Sequence, residues 1–333
     1  MASPKKQTVL VTGASGFLGL HLVQVLLAEG HRVKTLGRSE SHRLQALGVD
    51  QIQGSVTDDD ACQNAVLDVD QVYHLAGSVT RDESGSGTLY DVHVTGTRNI
   101  LRACEEAKID RIVVVSSSGT VGVGRSPEFE ANEDSKVPWD IIGQWPYYES
   151  KALAEREIEH FVKRGLPVRI ARPTLLLGPG DYNGSSTGDV STFLSGDVKA
   201  ALPGGVSFVD VRDVAAVLPR LMSDGEVGVG YLLGAVNFSV RDFLIGLQQV
   251  SGVRAPSFEL PKSIVDRTGG FLKRVSKFPL FGGLDPVTFE MGCHYWYIDS
   301  SRARSELGFE PRAWAETLAD TVTDIREIGA VYA

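Results

Sequence analysis

Cysteine is scarce in this sequence of 333 residues, which has only three. Cys62, Cys104 and Cys293 are far apart and form no CxxC pair. Their spacing excludes a disulfide framework and a zinc site, and it indicates reduced thiols in a cytoplasmic protein. We therefore predict no metal site, and function has to be sought in other residues.

Long apolar runs and excess positive charge are also missing. Without a run of roughly 18 apolar residues, we expect no integral membrane segment. The start, MASPKKQTVLVTGASG, has no apolar signal core with a cleavage site. The formal net charge of −9 argues against a nucleic-acid partner. The partner that these absences leave is a small-molecule substrate.

A regular alternation of apolar strands and amphipathic helices fills the first half of the chain. QTVLVTG, HRVKTLGR, VDQVYHLAG, IDRIVVVSSS and LPVRIARP read as strands with helical stretches between most of them. This rhythm predicts an α/β fold, a Rossmann-type doubly wound parallel sheet with helices on both faces. The rhythm breaks near Pro173, and the Gly- and Ser-rich GPGDYNGSSTGD indicates a loop.

The break defines the predicted domains. Residues 1–173, together with about 207–233, would form the dinucleotide-binding domain. Residues from about 174 to 206 and 234–333 would form a smaller, discontinuous substrate-binding cap.

A glycine-rich turn follows the first strand and opens the first helix. In TGASGFLG, Gly13, Gly16 and Gly19 have GxxGxxG spacing. Such a turn lets the backbone approach a pyrophosphate, and the helix N-terminus offers free N–H groups and a positive dipole end. The strand–turn–helix context makes the motif specific. We therefore assign cofactor contacts to the turn as a whole: Gly13, Ser15, Gly16, Phe17, Leu18 and Gly19.

The end of the second strand points to the form of the dinucleotide. Sites that prefer NAD usually place an acidic residue there, to bind the ribose hydroxyls. This strand ends TLGRSESHR, with Arg38 at that place and Arg43 as a second cation. A guanidinium matches the oxygens of a 2′-phosphate. The pattern favours NADP(H) over NAD(H), unless Arg38 is simply a solvated arginine at a strand end.

Two adjacent tyrosines and a lysine stand in WPYYESKALAE. On a helix, residues four apart share one face, so Tyr147 pairs with Lys151, whereas the partner position of Tyr148 is an alanine. A nearby ammonium favours the phenolate and is expected to lower the phenol pKa. Tyr147 could then exchange a proton with a carbonyl or alcohol oxygen, and Lys151 could also bind the nicotinamide ribose.

Taken together, the motifs resemble the extended short-chain dehydrogenase/reductase family over almost the whole chain. They are TGASGFLG, HLAG, VTGTRNIL, VVVSSSGTVG, YYESK, RPTLLLGPGD, FVDVRDVA and DSSRARSELGFEPR. The resemblance implies a Ser–Tyr–Lys mechanism in which Ser118, with Ser117 as the alternative, binds the substrate oxygen. It also implies cofactor contacts for Leu75, Ala76, Gly77 and Pro173.

Two positions depart from the family pattern. The third strand is followed by GSV, so Ser55 replaces the acidic residue that contacts adenine in relatives. By the resemblance, Ser55 and Val56 remain the expected cofactor contacts at this position. VHVTGT carries His93 where an asparagine is usual. His93 is interpreted either as a structural residue or as part of the polar network of the active site.

Within the family, the apolar RPTLLLG and the absence of an arginine just before Phe208 argue against a nucleotide-sugar diphosphate site. The resemblance is nearest to the dihydroflavonol 4-reductase and 3β-hydroxysteroid dehydrogenase-like branch. It implies an NADPH-dependent reductase, or reverse dehydrogenase, of a carbonyl or alcohol group. A nucleotide-sugar epimerase is the main alternative, and a non-enzymatic NADP-sensing regulator is a distant one.

One further segment is locally basic and apolar. Residues 261–283 carry five cations and one acidic residue, and we interpret them as a cap helix or as a peripheral membrane contact. The resemblance leaves a monomer and a homodimer equally open.

Overall fold

The computed structural model describes residues 6–79, 86–263 and 286–332. Within them, seven strands form one parallel sheet in the order β3-β2-β1-β4-β5-β6-β9. These strands are β1 (Thr8–Thr12), β2 (Arg32–Gly37), β3 (Asp50–Gln53), β4 (Gln71–His74), β5 (Ile112–Val115), β6 (Val168–Pro173) and β9 (Gly230–Leu233). The predicted Rossmann-type α/β fold is confirmed.

Helices cover both faces of this sheet. In chain order, the α-helices of the described residues are α1 (Phe17–Ala28), α2 (His42–Ala46), α3 (Asp59–Ala65), α4 (Ser86–Tyr90), α5 (Gly96–Glu106), α6 (Trp139–Ile142), α7 (Pro146–Lys163), α8 (Gly188–Leu194), α9 (Val211–Asp224), α10 (Val240–Ser251), α11 (Pro286–Met291), α12 (Ser301–Leu307) and α13 (Trp314–Tyr332). A π-helical turn, Asp91–Thr95, joins α4 to α5. Helices α1 and α9 pack on one face, and α3, α5 and α7 on the other.

A second sheet has three strands in the order β10-β8-β7. Its strands are β7 (Leu175–Leu177), β8 (Gly205–Asp210) and β10 (Val236–Ser239), and β8 pairs parallel with β7 but antiparallel with β10. Its apolar side chains form a core with α8, α10 and α13. We assigned about 207–233 to the dinucleotide-binding domain. Within this stretch, β8 lies in the small sheet and β9 lies in the large one. The domain boundaries stay a prediction.

The strand order indicates where a ligand site is expected. The sequence order reverses between β1 and β4, and open α/β sheets bind ligands at such a point, beyond the carboxyl ends of the strands. The glycine turn follows β1, HLAG overlaps the end of β4, and the serine run follows β5. The motifs that were far apart in sequence therefore lie along one edge of the sheet.

Most of the basic segment at 261–283 lies outside the described residues, which resume at 286. Its cap-helix and membrane-contact interpretations stay predictions. In the described part of the chain, no helix is both long and apolar enough to cross a bilayer.

Candidate active site

The glycine turn packs directly against the end of β4. Gly13 has φ +71°, and a Cβ there would lie 2.7 Å from the backbone of Leu75 and Ala76. A Cβ on Gly19 would lie 2.2 Å from the Gly13 carbonyl oxygen. Gly16 precedes α1, and no described side chain caps its N-terminus. The turn thus leaves backbone N–H groups available at a positive helix end, as a pyrophosphate requires.

Next to this turn is a small cavity, partly open to solvent, at the end of β2. Its lining includes Ser15, Gly37, Ser39 and Gln53. Arg38 stands between two lining residues and is exposed. Its side chain has no hydrogen-bond or ion-pair partner in ranges 6–79, 86–263 and 286–332, although its carbonyl accepts a bond from Gln53. Along the chain, an exposed cation therefore adjoins the lining of this cavity, and none of the described residues pairs with its guanidinium.

The other residues predicted at this end already have protein partners. The Arg43 guanidinium lies 3.5 Å from the centroid of the Tyr182 ring, in the loop after β7. The Ser55 hydroxyl pairs with that of Thr57 at 2.8 Å. Val56 is buried, and its carbonyl accepts a bond from Asn99. The structure thus brings Ser15 to the cavity but engages Arg43, Ser55 and Val56 elsewhere.

At the opposite end of the edge, α7 carries Tyr147 and Lys151 on one face. The helix begins at Pro146, in the first turn, where proline loses no intrahelical hydrogen bond. Lys151 is buried and its Nζ donates to the Val115 carbonyl, at the end of β5, over 3.2 Å. A Cβ on Gly77 would lie 3.4 Å from that Nζ. HLAG and the YxxxK pair therefore lie next to each other.

The charges at this pair are governed by burial. Burial raises the pKa of the Tyr147 phenol to about 12, and a hydrogen bond with Ser117 opposes part of the rise. Burial lowers the pKa of Lys151 to about 8, against the opposing effect of the Glu155 carboxylate. The expectation that Lys151 lowers the phenol pKa is therefore wrong for this structure. The loss of solvation outweighs the opposing hydrogen bond, so Tyr147 is neutral near pH 7.

The serine run divides its side chains among several partners. Ser116 Oγ donates to Glu155 over 2.5 Å. Ser117 Oγ accepts from the Gly119 amide over 3.2 Å and is also the hydroxyl that bonds to Tyr147. Ser118 is buried in the following 3₁₀ turn. The contact with the phenol thus involves Ser117, the alternative, whereas the family motif favours Ser118.

His93 lies in the π-helical turn and faces Tyr147. Its ring meets the Tyr147 ring edge-on, with 5.6 Å between centroids. The Ser78 amide donates to Nε2 over 3.1 Å, so Nδ1 carries the proton and donates to Ser150 Oγ over 2.8 Å. The Ser150 hydroxyl in turn donates to the Tyr147 carbonyl. Of the two interpretations of His93, this geometry fits a member of the polar network.

The other side of α7 is aromatic. Four residues form an aromatic cluster: Trp145, Tyr148, His294 and Trp296. The Trp145 ring contacts the other three, with 5.4 Å to the stacked Trp296 ring, and Tyr148 also contacts Trp296. Tyr148 also meets Tyr147 edge-on at 5.0 Å. Sequence analysis missed this cluster, because Trp296 is almost 150 residues from Tyr148 and no periodic pattern links them.

Pro173 ends β6 and is paired in register with Leu233 of β9. It lies at the same edge as the serine run, because β5 and β6 are neighbours. The assigned cofactor residues therefore extend from the glycine turn and the cavity at β2, past HLAG, to Lys151 and Pro173.

The chain is similar to known proteins in both sequence and structure. A family model described as "NAD dependent epimerase/dehydratase family" matches residues 9–234. Sterol demethylase protein B of Methylococcus capsulatus is 32% identical over 97% of this chain and 100% of its own. The 3 beta-hydroxysteroid dehydrogenase/Delta 5-->4-isomerase of Mycobacterium tuberculosis is 28% identical over 91% of this chain and 86% of its own. The crystal structure of gox2253 is 27% identical and has a TM-score of 0.84, with 97% of this chain and 99% of that chain covered.

Proposed function

Because the chain belongs to the NAD dependent epimerase/dehydratase family, we propose that it is an NADPH-dependent reductase, or reverse dehydrogenase, of a carbonyl or alcohol group on a mainly apolar small molecule. Relatives named as reductases and dehydrogenases support an oxidoreductase. The observation that carries the proposal is the position of Tyr147. Its phenol bonds to a serine hydroxyl, and its ring adjoins the aromatic cluster.

The residues of the cleft fit a dinucleotide. The glycine turn would hold the pyrophosphate on the N-terminus of α1, since no described side chain caps the helix there. Arg38 would pair with a 2′-phosphate, and Lys151 would bind the nicotinamide ribose. When bound, the reduced dinucleotide supplies the hydride.

The protein's own part is to hold the substrate oxygen and to supply its proton. A phenol with a pKa of about 12 is protonated at neutral pH, which is the form that carbonyl reduction requires. Tyr147 gives this proton to the carbonyl oxygen while a serine hydroxyl holds the same oxygen. The contact with Tyr147 supports Ser117 in that position, and the resemblance supports Ser118. The Lys151 ammonium favours the phenolate that is left behind.

The aromatic cluster supports an apolar ring substrate. Trp296 and Tyr148 are only partly buried, and the Tyr148 ring contacts the rings of both Trp296 and Tyr147. The β7 residues that replace the polar side chains of nucleotide-sugar enzymes, Leu175–Leu177, pack into apolar cores. The names of two relatives refer to a sterol and a hydroxysteroid. We therefore propose polycyclic alcohols and ketones, with steroids as the first to test.

The test is NADPH oxidation measured with steroid and alicyclic ketones, with UDP- and dTDP-sugars in parallel. We expect steady, stoichiometric NADPH loss with a ketone and none with the sugars. Tyr147→Phe, purified in the same way, controls for contaminating reductases. Tightly held NAD in the isolated protein, with interconversion of a nucleotide sugar and no net oxidation, would overturn the proposal in favour of an epimerase.

A further inference from the structure

One buried carboxylate near the site has no part in the mechanism above. Glu155 lies one helical turn after Lys151 on α7 and is only 9% exposed. A buried carboxylate is costly unless it is paired and hydrogen-bonded. Glu155 is fully engaged, because both of its oxygens accept hydrogen bonds.

Its donors come from both flanks of the serine run. Ser116 Oγ donates to Oε1 over 2.5 Å, and Thr120 Oγ1 shares its one proton between Oε1, at 3.1 Å, and the Ser117 carbonyl, at 2.9 Å. The residues between them include Ser117 and Ser118, the two candidates for the substrate-binding hydroxyl. Oε1 of Glu155, on α7, thus contacts a hydroxyl on each side of Ser117 and Ser118.

The remaining donor comes from the neighbouring strand. Arg172, in β6, reaches Oε1 through Nε over 3.0 Å and Oε2 through Nη2 over 2.7 Å. This bidentate pair is almost entirely shielded from solvent. Glu155 therefore joins three elements: α7, the turn after β5, and β6.

We propose that Glu155 is a positioning residue, which fixes the serine run relative to Tyr147 and Lys151 through Ser116, Thr120 and Arg172. The inference rests on the proposed function, since it assumes that a serine and Tyr147 share one substrate oxygen. The two hydroxyls must converge on one atom, and a misplacement of about 1 Å costs of the order of 100-fold in rate.

The same carboxylate also supplies charge to the lysine. Glu155 opposes the loss of charge that burial imposes on Lys151, and Arg172 balances the carboxylate. The other groups that face Lys151 are His74 and His93, both held neutral by burial. Glu133 lies on the far side of the pair and acts on Arg172. Removing either partner of the ion pair should therefore change the titration of Lys151.

The first experiment compares Glu155→Gln with Glu159→Gln, the same substitution at an exposed position of the same helix. In ketone reduction, we expect Glu155→Gln to lower kcat by roughly 100-fold, with KM changed by less than about threefold. Glu159→Gln should match the wild type. Equal kcat values for the two variants would overturn the proposal.

A second readout does not require turnover. The affinity for NADPH, followed by nicotinamide fluorescence, should decline in the wild type as pH rises through about 8, where Lys151 loses its charge. Glu155→Gln leaves Arg172 unpaired and should move this decline to lower pH. Arg172→Gln leaves the carboxylate unpaired and should move it to higher pH. Shifts in the same direction, or no shift in either variant, would contradict the proposal.

Smaller changes keep the test decisive if Glu155→Gln fails to fold. Ser116→Ala removes one donor and leaves the ion pair in place, whereas Ser116→Thr keeps the hydroxyl. We expect the alanine variant to lose kcat and the threonine variant to recover most of it. A wild type that binds NADPH but reduces no ketone would defeat the proposed function alone, because the opposite pH shifts could still be measured.

Discussion

The two ends of the proposed dinucleotide site, the nicotinamide or catalytic end and the adenosine end, differ in how their side chains are held. At the nicotinamide end, Lys151 bonds to the β5 carbonyl and His93 has a partner on each ring nitrogen. At the adenosine end, Arg38 is exposed and has no side-chain partner in the described ranges, and Arg43 rests on Tyr182. The catalytic end is preorganised by the protein, whereas the adenosine end depends on its ligand to fix the side chains.

The difference has a physical cause. Buried polar groups must be satisfied by the protein itself, so their positions are fixed before a ligand arrives. An exposed cation is stabilised by water in the absence of a ligand, and its side chain takes up a fixed geometry only when an anion binds. Substitutions at the catalytic end should therefore act mainly on turnover, and those at the adenosine end mainly on cofactor affinity and selectivity.

The largest effect is expected at Tyr147. Tyr147→Phe removes the proton donor and should lower kcat by about 10²- to 10⁴-fold, with little change in the Kd for NADPH. Tyr148→Phe is the matched control, because its ring belongs to the aromatic cluster, and it should retain most activity. Steady-state kinetics and fluorescence titration check both variants. The reverse result would place the chemistry on the neighbouring tyrosine.

The serine run should show the next largest effect. We expect Ser117→Ala to lower kcat by roughly 100-fold, because its hydroxyl bonds to the phenol, and Ser118→Ala to lower it less. Cofactor affinity, measured in parallel, should be unchanged in both variants. If Ser118→Ala is the more damaging, the family motif identifies the serine correctly and the contact of Ser117 only orients Tyr147.

The contrast between the two ends also marks what the sequence could predict. The YxxxK pair and the glycine turn were predictable, since helical spacing and a strand–turn–helix context determine which groups meet. The parallel sheet followed from the alternation of strands and helices. Glu155 was missed, because its donors Ser116 and Arg172 lie on other elements and only packing brings them together. The rise in the pKa of Tyr147 was missed for a related reason: burial cannot be read from local spacing.

At the adenosine end, Arg38→Asp should act on the choice of cofactor. It replaces a cation beside the cavity with a repelling carboxylate, and each charge-assisted hydrogen bond lost is worth about 1.5–3 kcal/mol. We expect NADPH affinity to fall by roughly 10- to 100-fold and NADH affinity to change much less. Titration with both cofactors measures this. Equal wild-type affinities for NADPH and NADH would remove Arg38 from the 2′-phosphate site.

The neutral histidines at the catalytic end should make stability depend on pH. Burial lowers the pKa of His74 to about 3 and that of His93 to about 2, below the ordinary value of 6.5. The unfolded chain then binds more protons below pH 6.5, so stability is full above 6.5 and falls as pH drops. The slope is about 1.4 kcal/mol per pH unit for each histidine.

Urea unfolding between pH 4 and 8 measures this dependence. His93→Asn, which restores the residue usual in the family, should lower the slope by about 1.4 kcal/mol per pH unit and leave the fold intact. His42→Asn is the control, since His42 is exposed on α2. An unchanged slope in His93→Asn would mean that His93 titrates alike in the folded and unfolded chain.

The smallest effect is expected at Arg43, which already has a partner. A cation–π contact at an exposed site is worth about 0.5–1 kcal/mol, so Arg43→Ala should change NADPH affinity by only about two- to fivefold. If the guanidinium stays on Tyr182 when the cofactor binds, Tyr182→Leu should have an effect of the same size, and the affinities for NADPH and NADH should be affected alike.

If Arg43 instead leaves Tyr182 to join Arg38 at the 2′-phosphate, Arg43→Ala should weaken NADPH binding selectively. Tyr182→Leu would then strengthen NADPH binding, because it frees the cation. Titrations of both variants with both cofactors separate these outcomes. The sign of the Tyr182→Leu effect on NADPH affinity shows whether Arg43 stays on the loop after β7 or binds the cofactor.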